Sequence, residues 1–270
     1  MAEDPRPLMA QRGADEMRLF RIKRVAVTLS AWGVLALYIH SVAAQSPPSS
    51  GSPAQRPNIV LILTDDLDSR SIARLQKLNL LLTDRGTTFA NFFVSDSPSF
   101  DEADILDKPA WLSSQPPLAE HEIARIDQAY RRRLQSMLAV EDLIASLLES
   151  LQAAGKLDNT YIFFTSDNGY HLGQHRLLPG KQTPYEEDIR VPLIVRGPGV
   201  REGAVVNELA GNIDLAPTFA ELAGIDINPS VDGRSLAPLL TGDLPPGSAW
   251  RRAFLLEHTR QEEGHDRRGL

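Results

Sequence analysis

The stretch NIVLILTDD, residues 58 to 66, restricts the possible fold more than any other part of this 270-residue chain. An unbroken apolar run rich in β-branched residues suits a strand buried on both faces, as in parallel sheets covered by helices. Such a run gains no core stability by ending in two adjacent carboxylates. Asp65 and Asp66 therefore either cap the next helix or turn, as aspartates after a strand commonly do, or hold a ligand. The same arrangement recurs in YIFFTSDNG, residues 161 to 169, where Asp167 and Asn168 come after a second apolar run.

Between and beyond these runs, strand and helix patterns alternate. Residues 71 to 85 place Ile72, Leu75, Leu78 and Leu82 at helical spacing, with Gly86 as a natural stop, and residues 87 to 94 return to strand composition. Strand, helix and strand with short joints predict a right-handed βαβ unit. Residues 95 to 118 carry four prolines and predict a long irregular segment. From Ala119 to Ala154 the apolars Ile126, Tyr130, Leu134, Met137, Leu138, Leu143, Leu147 and Leu151 predict one or two helices, with Arg131, Arg132 and Arg133 on a solvated face. Residues 191 to 199 and 253 to 258 predict strands, and residues 214 to 224 predict a helix opened by an Asp cap. The expected class is α/β, with a mainly parallel sheet flanked by helices.

Composition removes several function classes. With 35 acidic against 28 basic side chains the net charge is −7, which gives no support for a nucleic-acid surface. The absence of cysteine excludes disulfides, thiolate metal sites and a thiol nucleophile. At the N-terminus, Arg18, Arg21, Lys23 and Arg24 precede an apolar run over residues 25 to 39, with small residues then at Val42 and Ala44. Residues 1 to 44 are therefore expected to be a signal peptide, directing the chain to a secreted, periplasmic or lysosome-like compartment. The run is shorter than the roughly 20 residues a spanning helix needs, so no stable membrane span is expected after cleavage. Residues 45 to 55 read as a Pro/Ser-rich linker, and the folded domain is expected over residues 56 to 270.

In open α/β sheets, ligands collect beyond the carboxyl ends of the strands. Asp65, Asp66, Asp167 and Asn168 would occupy that edge, and a set of hard oxygen donors suits Ca²⁺ or Mg²⁺ better than zinc. His171 and His175 are four apart, but Gly169 and Gly173 argue against a helix there, so both are expected as exposed loop histidines. Lys181 either sits on the surface or points into the anionic pocket.

RPNIVLILTDD, TSDNGYHLGQHRLLPGKQTPYEEDIRVPLIVRGPG, NIDLAPTFAELAG and DGRSLAPLL, spread over about residues 56 to 258, together resemble the formylglycine-dependent sulfatases, in particular the branch of N-acetylglucosamine-6-sulfatases and arylsulfatases. The resemblance implies an alkaline-phosphatase-like α/β fold and hydrolysis of sulfate esters of sugars or glycosaminoglycans. It implies that Asp65, Asp66, Asp167 and Asn168 bind one calcium ion, that Lys181 contacts the sulfate and that His171 lines the substrate pocket. Sulfated carbohydrate or aryl sulfate would be the substrate.

The family makes its nucleophile from cysteine or serine in the pattern Cys/Ser-x-Pro-x-Arg. Here the corresponding stretch is VSDSPSFDEAD; Asp96 stands two before Pro98 and Phe100 two after it, so the pattern fails. SPPSS, residues 46 to 50, mimics part of it but lies in the linker without the Arg. An internal deletion is the resulting expectation, leaving a fold without its central strands and C-terminal subdomain and a chain without sulfatase turnover. Two other readings stay open: a non-catalytic secreted remnant that binds calcium or a glycan, and a phosphoesterase of the same superfamily using Ser97 or Ser99.

Overall fold

A computed structural model describes residues 56–89, 98–227, 230–244 and 249–256, together with the backbone of residues 36–39. The strands are β1 (Ala36–Ile39), β2 (Asn58–Thr64), β3 (Thr87–Phe89), β4 (Thr160–Ser166), β5 (Leu193–Arg196) and β6 (Ala204–Val206). The α-helices are α1 (Gln76–Leu78), α2 (Ala110–Ser113), α3 (Glu120–Ala153), α4 (Glu186–Ile189), α5 (Leu215–Leu222) and α6 (Ala237–Thr241). The rest of the predicted leader, the linker over residues 45 to 55, residues 90 to 97 with Ser95 and Ser97, and residues 257 to 270 lie outside the described residues. No helix among the described residues is long and apolar enough to cross a membrane.

The strands form one sheet in the order β1-β2-β4-β5-β3-β6. β2 and β4 pair in parallel over seven residues, from Asn58 opposite Thr160 to Thr64 opposite Ser166. β5 runs against both β4 and β3, while β6 is parallel to β3. Thus β2, β3, β4 and β6 point one way and β1 and β5 the other, an open mixed sheet of α/β class. β2 and β3 are parallel, as the predicted βαβ unit requires, but β4 and β5 stand between them, so the connection through residues 65 to 86 crosses over two strands. The last residues of the apolar run before the linker, Ala36–Ile39, pair antiparallel with β2 at the sheet edge.

Alternation along β4 explains why the sheet needs cover on both faces. Ile162 and Phe164 join Val60, Ile62 and Ile194 in a core closed by Ile72, Leu75, Leu78, Leu82 and, from α3, Met137, Ile144 and Leu148. Phe163 points to the opposite face, among Leu193, Val195 and Val206 of the sheet and Leu236, Leu239 and Leu240 around α6. Phe219 of α5 meets Phe163 edge to face at 4.9 Å. Helical layers therefore sandwich the sheet.

The four apolar residues read from 71 to 85 are all buried, but they do not lie on one continuous helix. A 3-10 segment over Ser69–Arg74, the single turn α1 and a π-helical turn over Asn79–Thr83 carry them instead. Residues 120 to 153 form one unbroken helix of 34 residues, whose buried stripe is Ile126, Met137, Glu141, Ile144 and Leu148. Leu138, placed in the stripe by sequence, is 55% exposed. The long segment before α3 is irregular apart from α2, and Arg176 fastens it by donating to the carbonyls of Glu102, Ala103 and Gln115. Residues 253 to 256 form no strand, and Leu255 is largely exposed. Asp214 precedes α5, but its side chain makes no capping bond to that helix: its buried carboxylate accepts from the backbone N–H groups of Gly211 and Arg234 and pairs with both terminal nitrogens of Arg251, at 2.6 and 2.8 Å.

Candidate metal and anion site

The parallel register decides where the acidic pairs emerge. Because Thr64 lies opposite Ser166, Asp65 and Asp66 leave β2 beside Asp167 and Asn168 leaving β4. One carboxylate oxygen each from Asp65, Asp66 and Asp167 lie within 4.8 Å of one another. The two tips are also stitched through their backbones. The Asp66 N–H donates to Asp167 Oδ1 at 3.1 Å, the Leu67 N–H donates to Ser166 Oγ at 2.9 Å, and the Ser166 hydroxyl lies 3.0 Å from both the Thr64 and Asn168 carbonyl oxygens. Asp66 itself has φ of 58°, in the left-handed region that few residues other than glycine and Asn/Asp occupy.

Asn168 and Lys181 complete the cluster. Asn168 Nδ2 donates to Asp66 Oδ1 at 2.7 Å. Lys181 Nζ lies 2.7 Å from the same oxygen, 3.3 Å from Asn168 Oδ1 and 3.9 Å from Asp65 Oδ1. The hydrogen bond to Asp66 is the main reason the Lys181 ammonium is held above its ordinary pKa. Partial burial, then the neighbouring charges of Asp66 and Asp167, raise the pKa of Asp65 above that of a free aspartate. A set of anionic oxygens that one ammonium leaves incompletely compensated fits a hard divalent cation.

The histidines are not the exposed loop residues expected. His171 is buried, with Nδ1 2.9 Å from Asp188 Oδ1. Burial alone would raise the pKa of Asp188, but hydrogen bonds from His171 and Thr183 outweigh it and hold the carboxyl below the usual range. Reciprocal backbone hydrogen bonds join His171 to Gly180, directly before Lys181. Among the described contacts the His171 side chain meets Asp188 and not the acidic tips. His175, mostly buried, pairs with Glu102 at 2.7 Å and lies 3.8 Å from Glu187. Ser99, one of the alternative nucleophiles, donates its hydroxyl to Glu187 at 3.0 Å.

Sequence reasoning missed Arg133. Arg131 and Arg132 are solvated as expected, but Arg133 turns inward, donates to the Asp66 carbonyl oxygen and lies 4.4 Å from the centre of the Tyr170 ring. The signal was in the helical phase: Arg133 lies seven residues after buried Ile126 and four before buried Met137. Asp188 escaped notice because nothing in EEDIR marks which acid is buried.

Residues 97–225 match the family model described as Sulfatase. The chain is 45% identical over 159 residues to human N-acetylglucosamine-6-sulfatase, a match covering 58% of this chain and 28% of the relative. It is 39% identical over 176 residues to the Drosophila melanogaster extracellular sulfatase SULF-1 homolog, covering 65% and 16% respectively. A solved structure of a protein in complex with its substrate D-glucosamine-2-N,6-O-disulfate shows 37% identity over 49% of this chain and 27% of that one, with a TM-score of 0.45. The chain thus spans less than a third of the length of each of these proteins. The family model over residues 97–225 and the two named relatives make this chain similar to the sulfatase family.

Proposed function

We propose that this chain is a sulfatase-family protein that binds calcium and a sulfate ester of a sugar, without turning the ester over by itself. The supporting observation is the meeting of Asp65, Asp66 and Asp167 at two strand tips, with Lys181 resting on Asp66. Asp65, Asp66, Asp167 and the amide oxygen of Asn168 are the residues that would hold the cation. When bound, calcium supplies positive charge that neutralises sulfate oxygens and lets a nucleophile approach an already anionic ester.

The chain's own residues would supply the rest of the binding site. Lys181 carries a flexible ammonium that can exchange its carboxylate partner for a sulfate oxygen. His171, oriented by Asp188 and bridged to Gly180, would hold the turn that presents Lys181 and line the pocket. The family relationship supplies the substrate class: the named relatives include an N-acetylglucosamine-6-sulfatase, which supports a sulfated amino sugar as the ligand here. Lack of turnover is inferred from the failed nucleophile pattern around Pro98. The export leader over residues 1 to 44 is part of the same reading, and its removal would take β1 from the sheet edge while leaving the β2–β4 pairing in place.

Glucosamine 6-sulfate binding, measured with and without calcium, tests this. Binding should require calcium, Lys181→Ala should weaken it at least about tenfold, as loss of a charge-assisted contact does, and p-nitrophenyl sulfate should not be hydrolysed. Binding insensitive to both calcium and Lys181→Ala, or turnover abolished by Asp167→Ala, would overturn the proposal.

A further inference from the structure

The peptide unit joining Asp66 to Leu67 is gripped at both ends. Its carbonyl oxygen, on Asp66, accepts from the Arg133 guanidinium, and its N–H, on Leu67, donates to Ser166 Oγ at 2.9 Å. Arg133 projects from the middle of α3, a long helix packed into the protein on either side of it through Ile126 and Met137. Its guanidinium is fixed further by stacking over Tyr170, two residues beyond Asn168. The residue so gripped, Asp66, has left-handed backbone with φ of 58°, a sparsely populated conformation for a residue other than glycine.

From this geometry we propose that Arg133 is a positioning residue for the cation site: it holds the 66–67 peptide so that the Asp66 carboxylate stays beside those of Asp65 and Asp167. The inference rests on the proposal that these carboxylates hold a cation. It has a sign that simple charge arithmetic does not share. A positive group next to a cation site disfavours the cation, so removing it should tighten binding on electrostatic grounds alone. Loss of a group that orients a ligand acts in the opposite direction and commonly costs 10- to 100-fold in metal affinity.

Calcium titration calorimetry on the full chain separates the two. Arg133→Ala should weaken calcium binding about tenfold or more, and Arg133→Lys, which keeps a donor, should recover part of the loss. Arg133→Gln, neutral and closer in size, should also bind more weakly than the wild type; it carries the test if the alanine variant does not fold, which circular dichroism shows. Unchanged or tighter binding in the folded alanine or glutamine variant overturns the proposal. If the wild type binds calcium and Asp167→Ala weakens it while Arg133→Ala does not, only the role of Arg133 falls. A wild type that takes up no calcium removes both this role and the cation site beneath it.

Discussion

Asp188 shows at the scale of one residue how this protein keeps a buried charge. Its carboxylate accepts from His171 Nδ1 and from both the backbone N–H and the hydroxyl of Thr183, at 2.7 to 2.9 Å. These bonds hold its pKa below that of an unfolded aspartate, so its ionised form stabilises the fold. The contribution is fully present above the ordinary aspartate value of about 3.9 and is lost as pH falls through the lower, folded-state value. Melting monitored from about pH 6 to about pH 2.5 should therefore show stability falling in the wild type, whereas Asp188→Asn should be less stable at neutral pH and flatter in acid. Parallel acid profiles for the two proteins would contradict this. Part of the strand-tip cluster was legible at this scale: Asp65, Asp66, Asp167 and Asn168 meet as the two apolar runs ending in polar pairs suggested, while Lys181, left open between surface and pocket, lies against Asp66. Arg133 and Asp188 were not, because an arginine and an aspartate usually belong to solvent, and only a contact distant in sequence pulls each inside.

The elements show how packing overrides local pattern. Ile72, Leu75, Leu78 and Leu82 were legible as core because burial depends mainly on apolar spacing, and all four are at most 2% exposed. The backbone that carries them was not, since 3-10, α and π turns share nearly the same spacing over so few residues. Gly86 has a similar lesson. It looked like a helix stop, but a Cβ there would sit 2.2 Å from the Val195 carbonyl oxygen of β5, so the chain needs glycine for close approach. Gly86→Ala should lower the urea midpoint by the equivalent of about 1 to 3 kcal/mol, as overpacking does, with an unchanged m-value. An unaltered midpoint would show that the joint between residue 86 and β5 yields without cost. In α3, the long apolar stripe was legible but its phase was not fully so: Ile144 and Leu148 are buried where Leu138 is exposed. A 34-residue helix contains enough leucines to support more than one stripe, and only the neighbouring layer selects one.

At the scale of the molecule, the sheet brings together residues about 100 positions apart in the chain. The α/β class and the two strand tips were legible because each strand announces its own burial and its own end. Strand order was not: β3 comes directly after β2 in sequence yet lies beyond β4 and β5, a placement set by pairing with β5 and β6 rather than by proximity along the chain. The β2–β4 pairing is what makes the site, since a shift of one residue in register would turn the tips to different faces. Calcium titration calorimetry tests that claim most directly. Each chain should bind a single ion, with an affinity lowered at least about tenfold by Asp167→Ala, since even outer partners of a metal ligand cost that much, and little changed by His175→Ala, whose ring faces Glu102. No calcium uptake, or an equal loss in the two variants, would contradict it.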